Sequence, residues 1–163
     1  MNVYPIMPNT RIQARIRKVL SDALGSLDAF DGAVFVDDRT TAEETIPWIC
    51  VRVVGAEEMP PRSNYWHLQV VVQMCEDRME QRTAITGNAD TRPRHDHRCE
   101  NLTALIHGVW EDSTFMDKIN DEATLPGAAA LRLYGANFAT ETDGEDRIMT
   151  EYSFSLLCVS TEA

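Results

Sequence analysis

Between positions 9 and 29 the apolar residues Ile12, Ile16, Val19, Leu20, Ala23, Leu24 and Leu27 recur at spacings of three and four. That period places them on one stripe of an amphipathic helix, with Arg11, Arg15, Arg17 and Lys18 assigned to the opposite face. Asn9 or Thr10 is suited to cap its start, just after Pro8. Gly25 is a weak point late in the helix, and Gly32 ends the connection behind it. The period then falls to two. Ala33 to Asp37 is a short β run. Pro47 leads a second strand, Trp48 to Val54, with Ile49, Val51 and Val53 on one face and Cys50 and Arg52 on the other. Residues 55–63 read as a turn region. Asn64 to Asp77 is a long strand with Trp66, Leu68, Val70, Val72 and Met74 pointing one way. At about 3.4 Å per residue it spans roughly 45 Å. That is long for one small sheet, so part of it is expected to project beyond the core or to pair with another chain.

Residues 78–97 show no clear period and contain the breakers Gly87, Asn88 and Pro93. A loop of that length in a compact domain is uncommon and tends to carry function. Glu100 to Asp112 predicts a second amphipathic helix, with Leu102, Leu105, Ile106, Val109 and Trp110 on one side. Phe115, Met116 and Ile119 either extend it or form a separate turn. Ala130 to Thr140 is strand-like, and the change of parity between Leu131/Leu133 and Ala136/Phe138 places a bulge at Gly135. Asp143-Gly144 is a hairpin signal. Arg147 to Val159 is the last strand, with Tyr152, Phe154, Leu156 and Cys158 on one face. The expected fold class is α+β: a mainly antiparallel sheet with two helices packed on one face, and a long loop between the third strand and the second helix. The whole of 1–163 reads as one domain, with an extended segment at 1–8.

Composition narrows the class. A globular chain near this length of 163 residues buries roughly 68–70% of its unfolded surface, enough for a core without disulfides or metal. No apolar run is long enough to span a membrane, and residues 1–8 lack the basic and apolar regions of a signal peptide. The formal charge is −11, which disfavours a free-standing nucleic-acid binder. That charge is uneven. The four basic residues of the first helix give a local +4, and 78–98 sets five arginines against three acids, a local +2, leaving −17 on the remainder. The acids cluster at expected turns, as solvated loop ends or as a surface that meets basic patches on neighbouring copies. Cys50, Cys75, Cys99 and Cys158 include no C-x-x-C pair, and three lie in apolar runs, as expected of buried reduced thiols.

The most enzyme-like cluster is His95-Asp96-His97-Arg98-Cys99. His, Asp and Cys can all bind zinc, and in an extended segment His95, His97 and Cys99 would share one side. No second ligand group has matching spacing, so neither a metal nor another cofactor is expected. A Cys99 nucleophile paired with His95 or His97 is conceivable near a helix N-terminus, but no orienting third group is identifiable. No catalytic residue is assigned, and the chain is read as a non-enzyme, with a small cytosolic enzyme using the His95–Cys99 loop as the alternative. The polar loop itself reads more readily as a partner contact. Candidate subunit or partner contacts are Arg11, Arg15, Lys18, Arg78, Arg82, Arg92, Arg94, His95 and His97. His67 and His107 fit structural roles, and Trp48, Trp66 and Trp110 fit core or interface positions.

The order of these elements resembles the small tail-terminator and tail-completion proteins of long-tailed bacteriophages. The basic helix from Arg11 to Leu20, the short strand Val34-Phe35-Val36, and the proline-led strand from Ile46 to Val53 carry the first half of the match. The long strand Trp66 to Asp77, the helix Leu102 to Trp110 and the closing hairpin Leu131 to Val159 carry the second. The resemblance covers nearly the whole chain and is one of pattern rather than of a single motif. It departs at 78–97, which is longer than the family's corresponding connection. It implies an α+β subunit of a virion ring, commonly a hexamer, at the head-proximal end of the tail and assembled in the host cytoplasm. Such a ring stops growth of the tail tube, meets the tail tube protein and the head connector or neck protein, and lets DNA pass through its centre. Another neck, head–tail joining or minor tail protein is the alternative within that class.

Overall fold

A chain whose apolar period switches from helix to strand and back must bury a stripe against a face, which yields two layers. The computed structural model describes residues 8–37, 47–58, 60–77, 92–107, 114–120, 128–142 and 147–160, with the backbone alone at 8–11, 107, 114, 128–142 and 160. Helix α1 (Pro8–Leu24) is followed by a 3-10 turn (Asp28–Phe30) and strand β1 (Val34–Val36). Strands β2 (Trp48–Glu58) and β3 (Tyr65–Asp77) come next, then helices α2 (Arg94–His107) and α3 (Thr114–Ile119), and finally strands β4 (Ala128–Thr142) and β5 (Arg147–Ser160). The strands form one five-stranded sheet in the order β1-β2-β3-β5-β4. β1 runs parallel to β2, and every other pairing is antiparallel. The fold is α+β.

The core lies between the sheet and the helices. Leu68, Val70, Val72 and Met74 of β3 and Tyr152, Phe154, Leu156 and Cys158 of β5 meet Ile12, Ile16 and Leu20 of α1, Leu102 and Ile106 of α2, and Phe115 and Ile119 of α3. The Phe115 and Phe154 rings meet edge to face, 6.1 Å apart and inclined at 77°, the arrangement that aromatic quadrupoles favour. Strand alternation assigned these faces correctly. The opposite face carries exposed Arg52 and Val54 of β2, Gln69 of β3 and Ser153 of β5. Polar side chains bridge strands there, Gln73 Nε2 to Glu151 Oε1 at 2.8 Å and Ser155 Oγ to Gln69 Oε1 at 3.0 Å. At one end of that face Trp48, Cys50, Cys75 and Met149 form a second, smaller apolar cluster.

Several boundaries differ from expectation, each for a local reason. α1 ends at Leu24 rather than near 29, because the chain turns at Gly25 and then tightens into the 3-10 turn. Leu27 thereby leaves the apolar stripe and is 38% exposed. β2 continues to Glu58 because a register shift between Val53 and Gly55 absorbs Val54 and lets pairing resume. At that irregularity the Val53 N–H donates to Gln13 Oε1 of α1 at 2.8 Å, so the helix supplies a bond that pins it to the strand. The β2–β3 turn is held by Glu58, whose two carboxylate oxygens accept the Arg62 and Asn64 N–H groups at 2.7 and 3.2 Å. Both residues adopt positive φ, 63° and 64°, and two bonds to one carboxylate help offset that cost.

β3 does not extend past the core. β5 pairs with it from Tyr65 to Asp77 and β2 pairs with most of its other edge, so it is interior and not available to another chain. β4 is the outermost strand instead. The shift at Tyr134/Ala136 confirms the bulge at Gly135, and a second shift falls at Ala130/Arg132. β4 and β5 form the expected hairpin, while Asp143-Gly144 lies outside the described residues. α2 starts at Arg94, six positions before the predicted Glu100. The 78–97 loop is therefore shorter than expected at its end, and 78–91 lies outside the described residues.

An added Cβ at Gly25 would sit 2.6 Å from the Ser21 carbonyl oxygen, a backbone atom that cannot swing aside. Gly25→Ala is expected to destabilise the protein by about 1–3 kcal/mol in urea unfolding, because the end of α1 must shift to admit the methyl group.

Candidate functional site

The apolar row on the helix-facing side of β3 runs Leu68, Val70, Val72, Met74 and then ends on Glu76. Strand alternation thus drives a carboxylate into the interior, where its side chain is 0% exposed. A charge in that position needs partners for each oxygen. The first turns of α2 supply them. Arg98 Nη1 donates to Glu76 Oε2 at 2.8 Å, and both side chains are fully buried. His95 Nδ1 bonds Glu76 Oε1 at 2.7 Å. The Arg98 guanidinium also donates from Nε to the Ala29 carbonyl in the 3-10 turn, at 2.6 Å. One cluster therefore ties together the end of β3, the start of α2 and the turn after α1.

Cys99 stands one helical turn after His95. Its Sγ is 3.4 Å from His95 Nε2 and 3.9 Å from Nδ1. A sulfur on the Nε2–H axis would lie much farther from Nδ1 than from Nε2, so Sγ sits beside the ring. The Cys99 sulfur and the Glu76 carboxylate push the His95 pKa up from 6.5 to about 10, against the lowering effect of burial. His95 is therefore an imidazolium at neutral pH. For acids burial acts in the other direction, pushing the Cys158 thiol up to about 12 and raising the Tyr152 phenol.

The extended geometry expected for His95, His97 and Cys99 is corrected here. The segment is helical, so the four-residue spacing of His95 and Cys99 brings them together, while His97 is not in their cluster. Pro93 suits the position just before this helix, and the charged Arg94-His95-Asp96-His97 hid its start. Glu76, the orienting group missing from the sequence reading, was visible only as an acid at a strand end. Its parity with Met74 was the available signal. Among the described residues no three His, Cys, Asp or Glu side chains are placed to hold a metal ion. Glu76 and His95 direct their polar atoms at each other.

The other candidate residues scatter. Arg15 is 2% exposed and is corrected from surface to interior. It lies three after Ile12 and four before Val19, so helical geometry puts it on the apolar stripe. Its Nη1 donates to the carbonyl of Ile119, the last residue of α3, at 3.2 Å. Lys18 is exposed and pairs with Asp22 at 2.9 Å, and the neighbouring Arg17 pairs with Asp37 at 2.9 Å. Arg92 is exposed and pairs with Glu100 at 2.7 Å, while Arg94 and His97 are half-buried. The side chain of Arg11, and Arg78 and Arg82 altogether, lie outside the described residues. Cys50, Cys75 and Cys158 are buried free thiols, and Cys99 is half-buried.

Comparison with known proteins finds no family model and no curated sequence that matches this chain.

The raised His95 pKa has a signed consequence. A group whose pKa is higher folded than unfolded stabilises the fold fully below its unfolded value and loses that contribution as pH rises through the folded value. Unfolding free energy should therefore fall between pH 6.5 and about 10 by roughly 1–3 kcal/mol on account of His95. His95→Gln should flatten that part of the profile, as read by urea melts across the range.

Proposed function

We propose that the chain is a non-enzymatic subunit of a virion ring at the head-proximal end of a phage tail, acting through surface complementarity. The observation that carries this reading is the outermost strand. β4 is 15 residues long, and among the described residues β5 alone pairs with it. A long strand with one unfilled edge offers main-chain donors and acceptors to a neighbouring subunit. Head-to-tail contacts of this kind close into a ring when the rotation between copies permits. The helices occupy one face of the sheet, and the other face carries Arg52, Gln69, Gln73, Glu151, Ser153 and Ser155. A polar face of this sort suits contact with a second protein such as the tail tube or the connector.

Charge supports the same reading. The excess of acid, −11 per chain, suits a channel that DNA traverses without being held, since tight phosphate binding needs basic side chains. Part of the basic character is already spent within the subunit: Arg15 and Arg98 are buried, and Arg17 and Lys18 pair with acids. A ring whose lumen was lined chiefly by the arginines of 78–98 would contradict this account of DNA passage. The same features would serve another neck or tail-completion protein, and the structure to which the ring attaches separates the two.

Electron microscopy of the purified protein, alone and mixed with tail tubes or connectors, tests the proposal. Rings, or tubes capped at one end, are the expected result, with a particle mass near six times that of the chain. A monomer that associates with neither tube nor connector would overturn it.

A further inference from the structure

We propose that Cys99 is a thiol-exchange site, built with His95 and Glu76 into a Cys–His–Glu array that reacts with low-molecular-weight disulfides to leave a mixed disulfide on Sγ. The inference is independent of any ring. It rests on a juxtaposition that a structural ion pair does not require. Glu76 Oε2 is committed to Arg98, and its other oxygen holds His95 Nδ1 at 2.7 Å. That bond fixes the orientation of the imidazole, and Cys99 Sγ stands beside the ring, 3.4 Å from Nε2 and 3.9 Å from Nδ1. A carboxylate that orients a histidine, which in turn stands next to a thiol, is the arrangement by which proteins activate cysteine nucleophiles.

Charge balance points the same way. Arg98 and Glu76 neutralise each other in the interior. Among the described residues, Glu76 and Cys99 Sγ are the side-chain partners of the His95 ring nitrogens. Attraction between an imidazolium and a negative sulfur acts whether or not the sulfur lies on the N–H axis. Thr103 Oγ1 donates to the Cys99 carbonyl at 2.8 Å and fastens the helix at this point. Exposure favours Cys99 over the rest, because Cys50, Cys75 and Cys158 are buried.

The step balances without a further reactant. The Cys99 thiolate attacks one sulfur of the small disulfide. A new S–S bond forms to Sγ as the original S–S bond breaks. Cys99 is oxidised, and the departing half leaves as a thiolate, is thereby reduced, and takes a proton from solvent.

The test is reaction of the folded, reduced protein with oxidised glutathione at pH 6.5, followed by intact mass and peptide mapping. One adduct is expected, on Cys99, forming about tenfold faster than on the same chain unfolded in urea. His95→Gln should slow it by about tenfold, whereas His97→Gln should leave it unchanged. No adduct at Cys99, a rate no higher than that of the unfolded chain, or a rate unmoved by His95→Gln would each overturn the proposal. Should His95→Gln fail to fold, the comparison of folded with unfolded wild-type protein decides on its own.

Discussion

The junction of β3, α2 and the turn after α1 is arranged around one buried carboxylate. Glu76 ends the apolar row of β3, and its desolvation must be offset locally. It takes a guanidinium on one oxygen and an imidazole on the other. Both come from the start of α2, so the helix is held where it meets the strand. Arg98 then reaches on to the Ala29 carbonyl and brings in the turn that follows α1. Removing one member of such a set strands a charge in a low-dielectric interior, which costs far more than the set contributes when intact. Arg15 repeats the device at lower stakes. From α1 it holds the carbonyl that ends α3, where a cation also meets the negative end of the helix dipole. Two buried arginines thus connect segments that share few backbone hydrogen bonds.

The faces of the strands were legible in the sequence because alternation is a strict period: Leu68 through Met74 and Tyr152 through Cys158 all point where parity sends them. Positions whose role depends on another element were not. Leu27 continues the helical spacing of Leu20 and Leu24, yet the chain turns at Gly25 and the spacing loses its meaning. Arg15 was assigned to the surface by its charge, although its spacing from Ile12 and Val19 put it inside. Conversely, Arg94 to Cys99 lacks apolar residues in its first turn, so the hydrophobic period that announced α2 from Glu100 onward missed its start. Once the segment is helical, the four-residue step from His95 to Cys99 becomes a contact. Glu76 joins them only through the tertiary fold, which no local pattern reports.

The strand order also redistributes what each strand can do. Length alone made β3 the natural candidate for contact with another chain. The β4–β5 hairpin folds back so that β5 covers β3 along its whole length, and among the described strands β4 is outermost. At the other side β1 covers only Trp48 to Cys50 of β2, and Gln13 of α1 takes up the Val53 N–H beyond it. Among the described residues the sheet is therefore asymmetric, with α1 bonded to β2 on one side and β4 paired by β5 alone on the other. The helical layer is correspondingly committed to the core.

The two register shifts in β4 bear on how such an outermost strand survives in a crowded cell. They cut the strand into regular stretches of three, three and seven residues, Ala128–Ala130, Arg132–Tyr134 and Ala136–Thr142. Each bulge bends and twists the strand, so a straight incoming strand finds a matching ladder only over a few positions. Sticky, unlimited stacking of flat edges is discouraged. The irregularity thus breaks the outer ladder of β4 into short runs that face in different directions.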